Sequence, residues 1–97
     1  MREKIRDIVF EVVREFNQES SDLIDLKLGE KTRLFGGGGA LSSLGLVSFV
    51  VMVEEAIEAE FDRPIVLADE RAMSRRVSPF ASIGTLIDYI EESLLQP

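Results

Sequence analysis

Apolar residues recur at intervals of three and four in three separate stretches of this chain, and nowhere do they alternate convincingly. In the first stretch Ile5, Ile8, Val9, Val12, Val13 and Phe16 mark one face of an amphipathic helix over residues 2 to about 17. Arg6, Glu11, Arg14 and Glu15 fall outside that face. The β-branched residues lower helix propensity, but the period is helical and it prevails. In the second stretch Val47, Val50, Val53, Ile57 and Phe61 are expected as the buried stripe of a helix over 43–61, with Leu46 beside it and Val51 on a flank. Pro64 stops this helix. In the third, Ile83, Leu86, Ile87, Ile90 and Leu94 follow Ser82, which reads as an N-cap. A short helical turn is expected over residues 69 to about 75, and Ser78-Pro79 then breaks the chain. With 97 residues there is enough chain for one core. The predicted fold is an all-α bundle of three main helices plus one short helix, a single domain over 1–97.

Between the first two helices lies a long connection over residues 23 to 41. Leu23, Ile24, Leu26, Leu28, Leu34 and Phe35 punctuate it, so it is expected to pack on the core. A connection this long inside a small domain usually has a functional reason. It ends in four glycines, Gly36 to Gly39, which reads as a flexible hinge. A nucleotide-phosphate loop needs Lys-Ser/Thr at a set offset and a preceding strand, and both are missing. Behind the glycines come Ser42 and Ser43. Ser42 is placed as the N-cap of the second helix, offering its hydroxyl to the N–H of Gly45. Ser43 then stands where unpaired N–H groups and the positive end of the helix dipole tolerate a phosphate.

Composition narrows the chemistry. The chain carries neither cysteine nor histidine, which removes disulfides, the usual zinc constellations and every Ser-His or Cys-His nucleophile pair. An enzyme is not expected, and neither are catalytic residues or a resident metal. A small hydrolase or phosphotransfer enzyme is disfavoured on the same ground, while phosphotransfer through serine stays open as an alternative. A net charge of −7 argues against nucleic acid and anionic membranes and for partners with basic patches. No apolar run approaches a membrane span or the centre of a signal peptide, so a cytoplasmic location is expected. Glu54, Glu55, Glu58, Glu60 and Asp62 follow one another with no basic residue between Ser43 and Asp62. They read either as a solvated face or as a docking face. Arg71, Arg75 and Arg76 read as solubilising or pairing charges, and Met52 and Met73 as gap-filling core residues.

The order Leu34-Phe35, glycines, Leu41, Ser43-Leu44-Gly45-Leu46-Val47, Val53-Glu54-Glu55 and Phe61 resembles that of acyl carrier proteins. So does the closing Ser82-Ile83-Gly84-Thr85-Leu86-Ile87-Asp88-Tyr89-Ile90 segment. The likeness covers nearly the whole chain. The segments 67–73 and 78–80 look like those of discrete bacterial carriers, which serve specialised pathways more than primary fatty-acid synthesis. The resemblance implies that Ser43 is the attachment site of a 4′-phosphopantetheine arm taken from coenzyme A, with Ser42 and Leu44 beside it. It implies acyl or related cargo held as thioesters on the arm. Its partners are a phosphopantetheinyl transferase and acyl-transfer, ligase or synthase enzymes, which a monomer meets through Glu54, Glu55 and Glu58.

One position departs from the family pattern. Ser42 stands where the family has aspartate, whose carboxylate caps the helix and helps hold the metal ion in the transferase complex. A serine caps nearly as well. It is a poor ligand for a hard cation. Slower or partner-selective modification follows from that difference. The alternative reading is a carrier-like interaction module that is not phosphopantetheinylated.

Overall fold

The computed structural model describes residues 1–21, 23–74 and 76–96, the side chains of Arg71 and Met73 apart. Four α-helices lie among them: α1 (Arg2–Glu19), α2 (Ser43–Phe61), α3 (Glu70–Met73) and α4 (Ile83–Leu95). Helices α1 and α4 carry the stripes expected of them, α2 carries its stripe in part, and α3 is the short fourth. Helix α1 buries Ile5, Val9, Val12, Val13 and Phe16, with Ile8 only partly covered. It is the shared neighbour of the other two, packing against both α2 and α4. Phe16 meets Phe49 edge to face, with ring centroids 5.5 Å apart at 77°, the arrangement that the aromatic quadrupole favours.

Helix α2 corrects one expectation. Its buried residues are Phe49, Val50, Val53 and Ile57, whereas Val47 is 60% exposed. At about 100° of turn per residue, a face centred on 50, 53 and 57 can take in 49 or 47 but not both. The larger Phe49 wins the place against Phe16. Phe61 is only partly buried.

The long connection is less loose than its length suggests. Residues 26–31 form a 3-10 helix, unforeseen from the sequence, kinked at Gly29 and packed against α4. Beyond it the chain runs antiparallel to the segment that leads into α4. Leu34 N–H donates to Ala81 C=O at 2.9 Å, Phe35 N–H to Phe80 C=O at 3.1 Å, and Ile83 N–H to Thr32 C=O at 3.0 Å. Ile24 and Leu34 enter the core as expected, but Leu23 and Leu28 face solvent. An acidic and basic cluster fastens the 3-10 helix from outside. Arg2 donates to Glu30 at 2.5 Å and also to Asp88, and Arg6 reaches Glu30 at 3.3 Å. The hydrogen bond to Glu30, then the one to Asp88, raises the Arg2 pKa above its already high ordinary value.

The glycine run, expected as a hinge, is folded into a hydrogen-bonded turn. Gly39 N–H donates to Gly36 C=O, and Leu41 N–H closes back on Leu34 C=O, each at 2.9 Å. Gly36 sits at φ +97°, where side chains are rarely tolerated. A Cβ on Gly39 would lie 2.6 Å from the Leu34 carbonyl oxygen, so only glycine fits.

Downstream, Ser82 and Thr85 form a reciprocal capping box at the start of α4. Arg63 donates to the carbonyls of Leu94 and Gln96, tying the exit of α2 to the end of α4. Asp69 caps α3 and accepts the Tyr89 hydroxyl at 2.6 Å.

Candidate functional site

Ser42 caps α2 as its sequence predicts: its hydroxyl accepts from Gly45 N–H at 3.0 Å, and its carbonyl from Leu46 N–H at 2.8 Å. Ser43 is therefore the first residue of the helix, and it is exposed. Its N–H and that of Leu44 precede any intrahelical acceptor, so they add to the positive end of the helix dipole. No acidic residue occupies the first turn of α2 to compete with an anion there. An exposed hydroxyl at such a helix start fits a phosphodiester both sterically and electrostatically.

Leu44 is 77% exposed beside Ser43. Val47 at 60% and Val51 at 45% continue from it along the same side of α2. The exposed Glu55 and Glu58 extend that side toward the end of the helix. Glu54 parts from them. It is half-buried, and its carboxylate accepts the N–H of the fully buried Leu67 at 2.7 Å, which fastens the segment after α2 onto the helix. The three glutamates thus divide into one that braces the fold and two that face solvent.

Adjoining that side of α2, with Leu44 shared between the two, a groove of about 390 Å³ opens toward the end of α1. Phe16, Leu44 and Met52 contribute its apolar lining, and Ser20, Ser21, Ser42 and Ser48 line it with hydroxyls. Glu19 supplies a carboxylate, and among the described residues no lysine or arginine lines it. Nothing local in the sequence marks this groove. It depends on α1 ending beside the start of α2, a long-range contact whose nearest sequence trace is the pair Phe16 and Phe49.

Met52 packs against the core as expected, while Arg75 and the side chains of Arg71 and Met73 lie outside the described residues. Among the described residues no group of three acidic side chains is placed to hold a metal ion, and no helix is long and apolar enough to cross a membrane. Compared with family models, curated proteins and solved structures, the chain finds no match in any of the three.

Proposed function

We propose that this chain is a carrier whose Ser43 accepts a 4′-phosphopantetheine arm from coenzyme A and which presents acyl or related cargo to partner enzymes. The observation that carries this reading is an exposed serine opening a long, well-capped helix behind a hydrogen-bonded glycine turn. The resemblance of the chain to acyl carrier proteins supports it. When attached, the arm supplies the thiol on which cargo rides as a thioester. The residues of the chain do the rest. Ser42 holds the helix start in register, so the Ser43 hydroxyl is offered outward. Leu44 presents an apolar surface next to it for the transferase.

In this reading a cytoplasmic monomer meets its transferase and its acyl-transfer, ligase or synthase partners on α2. Leu44, Val47 and Val51 supply apolar contact, and Glu55 and Glu58 attract basic surfaces. Glu54 serves the fold instead. Chemistry belongs to the partners, not to this chain.

Incubation with coenzyme A and a broad-specificity transferase, followed by intact mass, tests the reading. The expected result is one added phosphopantetheine on the wild type, faster addition on Ser42→Asp, and none on Ser43→Ala. Absence of addition on both the wild type and Ser42→Asp overturns it. A second reading, an unmodified docking module, draws on the uncharged Ser42 and on the exposed Leu44, Val47 and Val51. It expects partner capture that Ser43→Ala leaves unchanged and Val47→Ser weakens.

A further inference from the structure

We propose that the connection between α1 and α2 carries a docking pocket for a segment of a partner protein in which carboxylates are interspersed with apolar side chains. The pocket, of about 240 Å³, lies between the 3-10 helix and the glycine turn. Lys27 and Arg33 give it two cations, and the lining Leu23 and Leu28 are 62% and 66% exposed. None of these residues belongs to α2, so the inference goes beyond the carrier reading and does not depend on Ser43.

The cations at this pocket are not engaged within the chain. Arg2, Lys4, Arg6 and Arg14 all sit in ion pairs, and Arg63 is held by carbonyls at the end of α4. Lys27, Lys31 and Arg33 are exposed, and among the described residues none of the three forms an ion pair. The described acidic groups of the same stretch have other tasks. Glu30 faces Arg2 and Arg6, and Asp25 caps the 3-10 helix by accepting the Lys27 N–H at 2.9 Å. Asp25 also lines the pocket, yet two cations against its one carboxylate leave the lining positive.

The fold holds this surface in shape. Asn17, near the end of α1, clamps both backbone groups of Ile24: its amide donates to the C=O and its oxygen accepts the N–H, each at 2.8 Å. The buried Thr32 donates its hydroxyl to the Asp25 C=O at 3.1 Å. The glycine turn forms the facing wall. It uses the N–H groups of Gly39 and Leu41, whereas those of Gly38 and Ala40 enter no hydrogen bond among the described residues and can donate to a carboxylate. A preformed surface spares a partner the entropy of ordering it.

Charge and apolar area together select the occupant. Exposed cations alone hold a small free anion weakly. The two leucines add apolar surface that only a ligand with apolar side chains of its own can cover. A nucleic acid or an anionic membrane meets too few cations here to offset repulsion from a net charge of −7. For a short acidic segment that repulsion is screened beyond ~8 Å at physiological salt. Within that distance the segment faces Lys27 and Arg33.

The test titrates the unmodified chain with a short blocked peptide in which glutamate alternates with leucine, followed by backbone amide NMR. The expected result is saturable shifts centred on Leu23, Lys27, Leu28, Arg33 and Ala40. Lys27→Glu combined with Arg33→Glu weakens binding about tenfold or more, because like charges then face each other. Leu28→Ser weakens it severalfold, and Val66→Ser, at an exposed apolar site elsewhere, leaves it unchanged. All four changed residues are exposed, so each variant is expected to keep the thermal unfolding curve of the wild type. A peptide with lysine in place of glutamate does not bind there. Absence of saturable shifts, shifts centred on α2, or survival of binding in the double charge reversal overturns the proposal. Equal binding of the lysine peptide overturns it too, as do equal shifts from inorganic phosphate, which mark a free anion as the occupant. Loading at Ser43 plays no part in this titration, so a failure here and a failure of the carrier reading are told apart.

Discussion

At position 39 a single hydrogen atom separates a folded turn from a clash. Gly39 packs its Cα against the Leu34 carbonyl, a backbone group that cannot swing aside, and this carbonyl also accepts the N–H of Leu41. Gly37, two residues earlier, has open space where a Cβ would go and no positive φ. Gly39→Ala is therefore expected to cost about 1–3 kcal/mol through overpacking. Gly37→Ala is expected to be neutral or to stabilise by up to about 1 kcal/mol by restricting the unfolded chain. For a domain of this size each ~1 kcal/mol moves Tm by about 4–8 °C, so thermal unfolding monitored by circular dichroism separates the two. Equal effects of the two substitutions would mean that the turn is not shaped as described. Ser42 shows the same economy at the helix start: a hydroxyl suffices for the cap, and Ser42→Asp should keep the fold while changing only the rate of loading.

Helix α2 is an element with divided duties. Its buried side holds Phe49, Val50, Val53 and Ile57, one exposed side carries Leu44, Val47 and Val51, and a third opens onto the groove. Its glutamates are divided likewise. Glu54 accepts the N–H of Leu67, and its removal leaves a buried donor without an acceptor. Glu54→Ala is expected to destabilise by about 1–3 kcal/mol, read from the midpoint of urea unfolding. Glu55→Ala and Glu58→Ala, on exposed sites without such partners, are expected to stay within about 0.5 kcal/mol. Their effect should fall instead on association with a basic partner and weaken as salt is added. If Glu54→Ala proves as mild as the other two, the brace between α2 and the following segment is not a stabilising contact.

Across the whole molecule, a radius of gyration of 12.3 Å agrees with the ~12.5 Å of a compact domain of this length. The arrangement depends on α1, which both other long helices touch, and on the cluster in which Arg2 binds Glu30 and Asp88. That cluster joins α1, the 3-10 helix and α4. Because the Arg2 side chain is more than a third exposed, solvent screens the interaction, and Arg2→Gln should cost no more than about 1 kcal/mol. Its larger signature should be local: faster amide hydrogen exchange over residues 26–31, with the difference shrinking at high salt. Unchanged exchange there would show that the 3-10 helix is held by its packing on α4 alone.

The sequence by itself determined the helices. Their periods, the caps at Ser42 and Ser82 and the breaks at Pro64 and Pro79 are local properties, decided by residues within a turn or two of one another. The position of Ser43 at the mouth of α2 was legible for the same reason. What only the tertiary structure decided involves residues far apart in the chain. Whether Val47 or Phe49 is buried depends on where Phe16 lies, and the task of Glu54 depends on where Leu67 returns. The glycine turn depends on a carbonyl at Leu34, and the groove exists only because α1 ends beside α2. Each of these is a choice between faces or partners that hydrophobic period leaves equally open, and close packing against a distant element settles it.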